Sequence, residues 1–228
     1  MCSRFGLSSR MRFFTEVHTR RSPPRSLRIA HCGGPGLLCG VSPDPRLEKL
    51  RRALRARPPA TIARDAAQRE AAVALILRPD TELELLFIQR AERASDPWSG
   101  QIAFPGGRRA DQEDLLHTAM RETEEETGIA LLAAGDVLGP LDEIEPGTRR
   151  LPALVITPFV IAAPAGTEAV PDSREVRTVA WVPITALRDP TAVSELSIAH
   201  AGSELSFPSI VFRDYVIWGL THRILLQF

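Results

Sequence analysis

Between positions 114 and 127 Leu116, Ala119, Met120, Thr123 and Thr127 recur at helical spacing, with Asp114 where a helix starts and Gly128 where a left-handed residue ends one. The other side of the same helix carries Glu122, Glu125 and Glu126 at i, i+3 and i+4, which confines three carboxylates to about 100° of arc at 3.6 residues per turn. One stripe must therefore face a core, while the opposite face repels itself unless cations neutralise it. Hard oxygen ligands in incomplete geometry suit Mg²⁺ or Mn²⁺, with the remaining coordination left to water and phosphate oxygens. Just ahead of the helix stands Phe104-Pro105-Gly106-Gly107, where paired glycines admit a close approach of backbone to a ligand and a helix start welcomes anionic oxygen. A glycine turn beside an acidic helix face leaves room for a diphosphate. Divalent ions held there would polarise a phosphoryl oxygen and acidify bound water, and a free glutamate would take the proton.

The surrounding pattern supplies a scaffold for that helix. Leu47, Leu50 and Leu54 recur at helical spacing from Pro45 until Pro58-Pro59 ends the segment. Residues 72–77 and 83–88 read as two strands joined by the turn-forming Pro79-Asp80-Thr81. Further strands are expected at 137–144, 154–162 and 176–182, and a terminal helix at 215–226. Strands and helices interleave without strict βαβ alternation, so the expected fold class is α/β with a mixed sheet covered by helices. One domain spanning 45–228 is the default at this length. Residues 1–43 are rich in Arg, Ser, Gly and Pro, and Glu16 is their only acid. They read as a disordered basic extension, and the same signature fits an organellar transit peptide or a start codon set too far upstream.

Composition narrows the partners. The 28 basic and 28 acidic residues cancel, so neither nucleic acid nor a membrane is expected as a partner, and Pro158 and Pro164 interrupt the best apolar run. Cys2, Cys32 and Cys39 are the only cysteines; all lie in the extension, which leaves no disulfide framework in the domain and fits a reducing, cytoplasmic setting, organellar if residues 1–43 are a transit peptide. A small-molecule nucleotide or coenzyme is the expected partner, and a homodimer stays open as an assembly.

Residues 107–129 resemble the Nudix box, in which glycine, five residues, glutamate, seven residues, Arg-Glu, an apolar residue, any residue, Glu-Glu, any residue, Gly and an aliphatic follow in order. Here these are Gly107, Glu113, Arg121, Glu122, Thr123, Glu125, Glu126, Gly128 and Ile129, with Thr123 where a fully apolar residue is more usual. Seven fixed identities coincide by chance about once in 10⁸ windows at average residue usage. A bare glutamate triplet would read as a solvated helix face; the full spacing reverses that reading. The resemblance implies an α/β/α sandwich, Glu122, Glu125 and Glu126 as metal ligands, Arg121 holding the glutamates by charge-assisted hydrogen bonds, and Glu113 as a supporting carboxylate. Which glutamate acts as base is left open.

Upstream, LFIQRAERASDPWSGQIAFPGG at 86–107 resembles the coenzyme A diphosphatase branch through Arg90, Ala91, Gly100, Gln101 and Phe104 to Gly107. It departs from that pattern at Ile88, at Ser95 and in one additional residue between Arg90 and Gly100. The resemblance implies hydrolysis of coenzyme A or acyl-CoA to 4′-phosphopantetheine and adenosine 3′,5′-bisphosphate, with Arg90, Gly106 and Gly107 binding substrate. Arg93 is a further candidate phosphate ligand, whereas Trp98 reads as loop packing and Glu175 as a surface glutamate. The competing readings are a Nudix hydrolase of ADP-ribose, a nucleoside diphosphate sugar or an oxidised nucleotide, and a catalytically silent sensor or adaptor, which would be expected to lack box glutamates.

Overall fold

The computed structural model describes residues 44–64, 68–92, 99–146, 154–171, 174–200 and 203–228. The expected extension at 1–43, and Arg93 and Trp98, lie outside the described residues. At the centre is β1 (Arg69–Pro79), whose alternation works on both faces: Ala71, Leu75 and Leu77 point into one core, and Ala72, Ala74 and Ile76 into the other. A strand buried on both sides reads as a continuous apolar run, as AAVALIL does here. It pairs antiparallel with β2 (Leu83–Arg90) through Leu77 and Leu85, and parallel with β6 (Leu154–Ala162) from Arg69↔Leu154 to Leu77↔Ala162.

Around this trio, β3 (Ile102–Ala103) and β7 (Val176–Pro183) pair with β2, β4 (Gly106–Arg108) with β1, and β5 (Asp136–Pro140) with β6. Only the β1–β6 pairing is parallel, so the sheet is mixed, as expected. One face is covered by α2 (Leu115–Thr127) and α3 (Leu131–Ala134), the other by α1 (Pro45–Ala56) and α5 (Gly219–Leu225). Phe87 of β2, fully buried in that second core, stacks on Phe104 at 5.0 Å between ring centroids and contributes about 2–3 kcal/mol by burial alone.

Two expectations need correction, and one feature was not anticipated. The strand at 137–144 stops at Pro140, and only Ile144 returns to pair with Ile156, because the chain leaves the sheet to cap Ala60 and Ile62 with the carboxylates of Asp142 and Glu143. The segment at 215–226 is not one helix. Its first four residues form β10 (Tyr215–Trp218), and Gly219, at φ +61°, turns the chain into α5. Finally, β8 (Val193–His200) and β9 (Ser203–Phe212) make with β10 a three-stranded antiparallel sheet that the apolar pattern did not signal. A four-residue helix, α4 (Ile184–Leu187), joins β7 to this second sheet.

Candidate active site

The acidic helix α2 has the ends that its sequence specifies. Asp114 accepts hydrogen bonds from the backbone N–H groups of Leu116 (2.9 Å) and His117 (3.3 Å), and Gly128 terminates the helix at φ +70°. Ala119 and Met120 pack on Ala72, Ala74 and Ile76 of β1, where two alanines let helix and strand approach closely. Thr123 and Thr127 are fully buried without stranding a polar atom. The Thr123 hydroxyl donates to the carbonyl of Ala119 and that of Thr127 to Thr123, both at 2.7 Å. The one soft position of the box thus tolerates threonine because the helix itself supplies the acceptor.

Both glycines of the preceding turn are dictated by what they touch. Gly106 sits at φ +152° against β1, and a Cβ there would lie 2.3 Å from the carbonyl oxygen of Ala72. At Gly107 a Cβ would lie 2.4 Å from the carboxyl carbon of Glu122, so the glutamate occupies the space that glycine leaves. The backbone N–H of Gly106 donates to Glu126 Oε2 at 3.0 Å. Two of the three helix carboxylates therefore meet the glycine turn directly, and the loop and the helix face are one site.

Charge and burial set the character of each acid. Glu126 is only 5% exposed, and burial pushes its carboxyl up to about 8; the Gly106 N–H and the charge of Arg90 oppose the rise, while Glu122 and Glu175 reinforce it. Burial also raises Glu122, against the pull of Arg121. Arg121 is the hub of the face. Its guanidinium donates to Glu113 Oε1 (2.9 Å) and Oε2 (3.1 Å), pairs with Glu122 Oε1 at 2.9 Å and donates to Glu125 Oε1 at 3.2 Å. That fork, with His117 and Thr118 (2.8 Å), holds Glu113 far below the usual carboxylate range, so Glu113 is a fixed counter-charge and Arg121 is fixed in turn.

The candidate site residues that lie among the described ones are thereby located. Glu113, Arg121, Glu122 and Gly107 form one chain of contacts, Glu126 bonds the neighbouring Gly106, and Arg90, at the end of β2, brings its charge to bear on Glu126 from the sheet. Glu125 stands apart: its side chain is 59% exposed, with Arg121 as its link to the cluster. Among the described residues no three His, Cys, Asp or Glu side chains are gathered as a ready-made metal site. The donor chemistry nevertheless fits a hard divalent cation. A buried carboxyl driven up to about 8 by burial and neighbouring acids is a group that a cation would return to its ionised form. Glu175 is exposed, as read from sequence, and its charge also acts on Glu126. The β2–β7 pairing brings it there, its carbonyl accepting from Ala91 N–H at 2.7 Å.

The NUDIX domain family model matches residues 67–200. An uncharacterized protein of Schizosaccharomyces pombe is 36% identical over 119 residues, covering 50% of this chain and 36% of that protein. The uncharacterized Nudix hydrolase NudL of Yersinia pestis (strain Pestoides F) is 30% identical over 161 residues, covering 70% of this chain and 78% of that protein. The chain thus spans about a third of the first relative and about three quarters of the second. A solved binary complex of a C. elegans Ap4A hydrolase aligns with a TM-score of 0.44 at 20% identity, over 51% of this chain and 81% of that one. Among the described residues no helix is long and apolar enough to cross a membrane.

Proposed function

The chain belongs to the Nudix family, and on that premise we propose that it hydrolyses a diphosphate bond with Mg²⁺ or Mn²⁺, its substrate being coenzyme A or an acyl-CoA. The observation that carries the reading is the meeting of Glu122 and Glu126 with the Gly106-Gly107 turn, which makes one anionic cradle out of residues 15 to 20 positions apart. Glu122, Glu125 and Glu126 would hold the cation. When bound it supplies Lewis-acid polarisation of a phosphoryl oxygen and a lowered pKa for water.

The protein's own residues do the positioning. Arg121 keeps Glu122 oriented from one side while Gly107 leaves its carboxylate room from the other. Glu113 anchors Arg121 through two hydrogen bonds to the guanidinium, which fixes the direction from which Arg121 meets Glu122 and Glu125. Arg90, close enough to act on Glu126, offers the diphosphate a fixed positive charge at the end of β2. The proton of the attacking water passes to a carboxylate of the same helix face. Support for a coenzyme A substrate comes from the resemblance of Arg90, Ala91, Gly100, Gln101 and Phe104 to Gly107 to the coenzyme A diphosphatase branch, with Arg90 N–H bonded to the Gln101 carbonyl at 3.0 Å.

A panel of diphosphates (coenzyme A, acetyl-CoA, ADP-ribose, nucleoside diphosphate sugars and oxidised nucleotides) assayed with Mg²⁺ tests both levels. Turnover of coenzyme A supports the whole reading. ADP-ribose turnover with none of coenzyme A would overturn the substrate, and no turnover of any diphosphate would overturn the reaction. Glu126→Gln should lower kcat by about 10³-fold with the fold intact, a loss of the size seen when one electrostatic participant is removed.

A further inference from the structure

On the sheet face opposite α2, a groove of about 480 Å³ opens between α1, α4 and α5. Its floor is Leu83, Leu187 and Ile210, its walls include Leu50 and Leu225, and Leu226 at its rim is left 69% exposed. The only polar side chains among the described lining residues are three cations, Arg46, Lys49 and Arg188. Arg46 is spent on the fold: its guanidinium donates to the Asp44 carboxylate at 2.7 and 3.0 Å and to the carbonyl of Asp80 at 2.9 Å. Lys49 and Arg188 are exposed and have no ion-pair partner among the described residues. The acids that flank the lining residues in the chain are engaged elsewhere. Glu48 pairs with Arg51 at 3.2 Å and Glu84 with Arg78, Glu82 accepts from the Thr185 hydroxyl, and Asp189 accepts from Thr191 N–H at 2.8 Å.

We propose that this groove binds a fatty carboxylate, a single acyl chain lying on the aliphatic floor with its head group on Lys49 and Arg188. The volume falls within the range of small-ligand sites. With no neutral donor or acceptor among its described side chains, the groove has none to satisfy the hydroxyls of a sugar, the amides of a peptide or the edge of a base, and each polar group buried without a partner costs free energy. A ligand apolar along its length and anionic at one end meets both parts of the lining, the guanidinium of Arg188 matching the two oxygens of a carboxylate. The groove is separate from the proposed diphosphatase centre: its apolar residues pack on the core beneath α1 and α5, whereas Glu122 and Glu126 lie on α2 across the sheet. Binding here is therefore independent of the substrate hydrolysed.

The test is titration calorimetry of the full chain with laurate and with decanoate, each below its micelle-forming concentration. Laurate should bind, and about 15-fold more tightly than decanoate, since each further buried methylene is worth about fourfold. The double variant Lys49→Ala, Arg188→Ala should weaken laurate about tenfold, the scale of hydrogen bonds between charged groups. It should melt with the wild type, because both side chains are exposed and without ion-pair partners among the described residues. Glu126→Gln should bind laurate as the wild type does. No binding of laurate, equal affinity for laurate and decanoate, or affinity unchanged in the double variant overturns the proposal. Loss of binding in Glu126→Gln also overturns it, by placing the ligand in the diphosphatase centre. Two other occupants would each show themselves in a protein that ignores free laurate: a dimer in sedimentation that Leu226→Arg dissolves makes the face an interface between copies, and attachment to phosphatidylglycerol vesicles makes it a membrane contact.

Discussion

Substituting alanine at each glycine of the turn in separate variants distinguishes two physical roles that look identical in sequence. At Gly106 the added methyl would lie 2.3 Å from a backbone carbonyl and 2.6 Å from Val73 Cα, on a residue at φ +152°. Neither neighbour can rotate away. The strained dihedral costs about 1–3 kcal/mol, and overpacking against the central strand about 1–3 kcal/mol more. A combined loss of about 3 kcal/mol lowers the melting temperature by roughly 6–12 °C in a domain of this size. At Gly107 the obstacle is the carboxyl end of Glu122 at 2.4 Å, the tip of a flexible side chain that can swing aside. Its displacement loosens one partly exposed ion pair with Arg121, worth at most about 1 kcal/mol. The same displacement removes Glu122 from the position that the site requires, and an error of an ångström there costs about 10²-fold in rate. Urea denaturation and a diphosphatase assay on both variants measure the two effects. Gly107→Ala should be stable and nearly inactive, and Gly106→Ala should be markedly destabilised. Equal destabilisation of the two, or full activity in Gly107→Ala, would refute the division of roles.

Three further outcomes are expected. Arg121→Lys keeps the charge but loses the fork, so the Mg²⁺ concentration for half-maximal activity should rise about tenfold or more while melting shifts by a few degrees; unchanged Mg²⁺ dependence would contradict the hub role. Glu143, held by Arg64 (2.6 and 2.8 Å), Ile62 N–H and Thr157, has its carboxyl lowered from 4.5 to about 2. A lowered carboxyl stabilises the fold above its unfolded pKa, so Glu143→Gln should cost about 1–2 kcal/mol at neutral pH after allowance for solvent screening; in chemical denaturation that difference should shrink below about pH 4.5 and vanish near pH 2. Thr123→Val should cost no more than about 1 kcal/mol, the net worth of one hydrogen bond, because no buried donor is left without a partner when the hydroxyl is removed; a larger loss would mean that the hydroxyl is structurally required.

The acidic helix was legible to its ends because capping, periodicity and spacing all act within 15 residues. The β1–β2 hairpin was legible for the same reason. What failed was non-local. Tyr215 to Trp218 suits helix or strand equally by composition, and only pairing with Phe212 to Ser209 decides it. Strands β8 and β9 are rich in Ser and Glu and include Pro208, so their apolar alternation is weak and the hairpin that joins them carries the information. Within the site, the roles expected of Arg121 and Glu113 came from the resemblance to the Nudix box, whose spacing is local to one helix and the turn before it. The reason for Gly107, the reach of Arg90 and the involvement of Glu175 depend on strands that pair across the sheet, which no local pattern encodes.

The parallel pairing of β1 with β6 has a consequence for the order in which the molecule comes together. Arg69 meets Leu154 about 85 residues later in the chain, and the whole acidic helix α2 lies inside that excursion. During synthesis β1 and β2 can join as soon as they emerge, but β1 keeps one open edge until β6 has been made. Closing so long a loop is the slow kind of step in folding. A chain interrupted before residue 154 would carry every residue of the acidic cluster and still present an unpaired apolar strand, the kind of edge that recruits other chains.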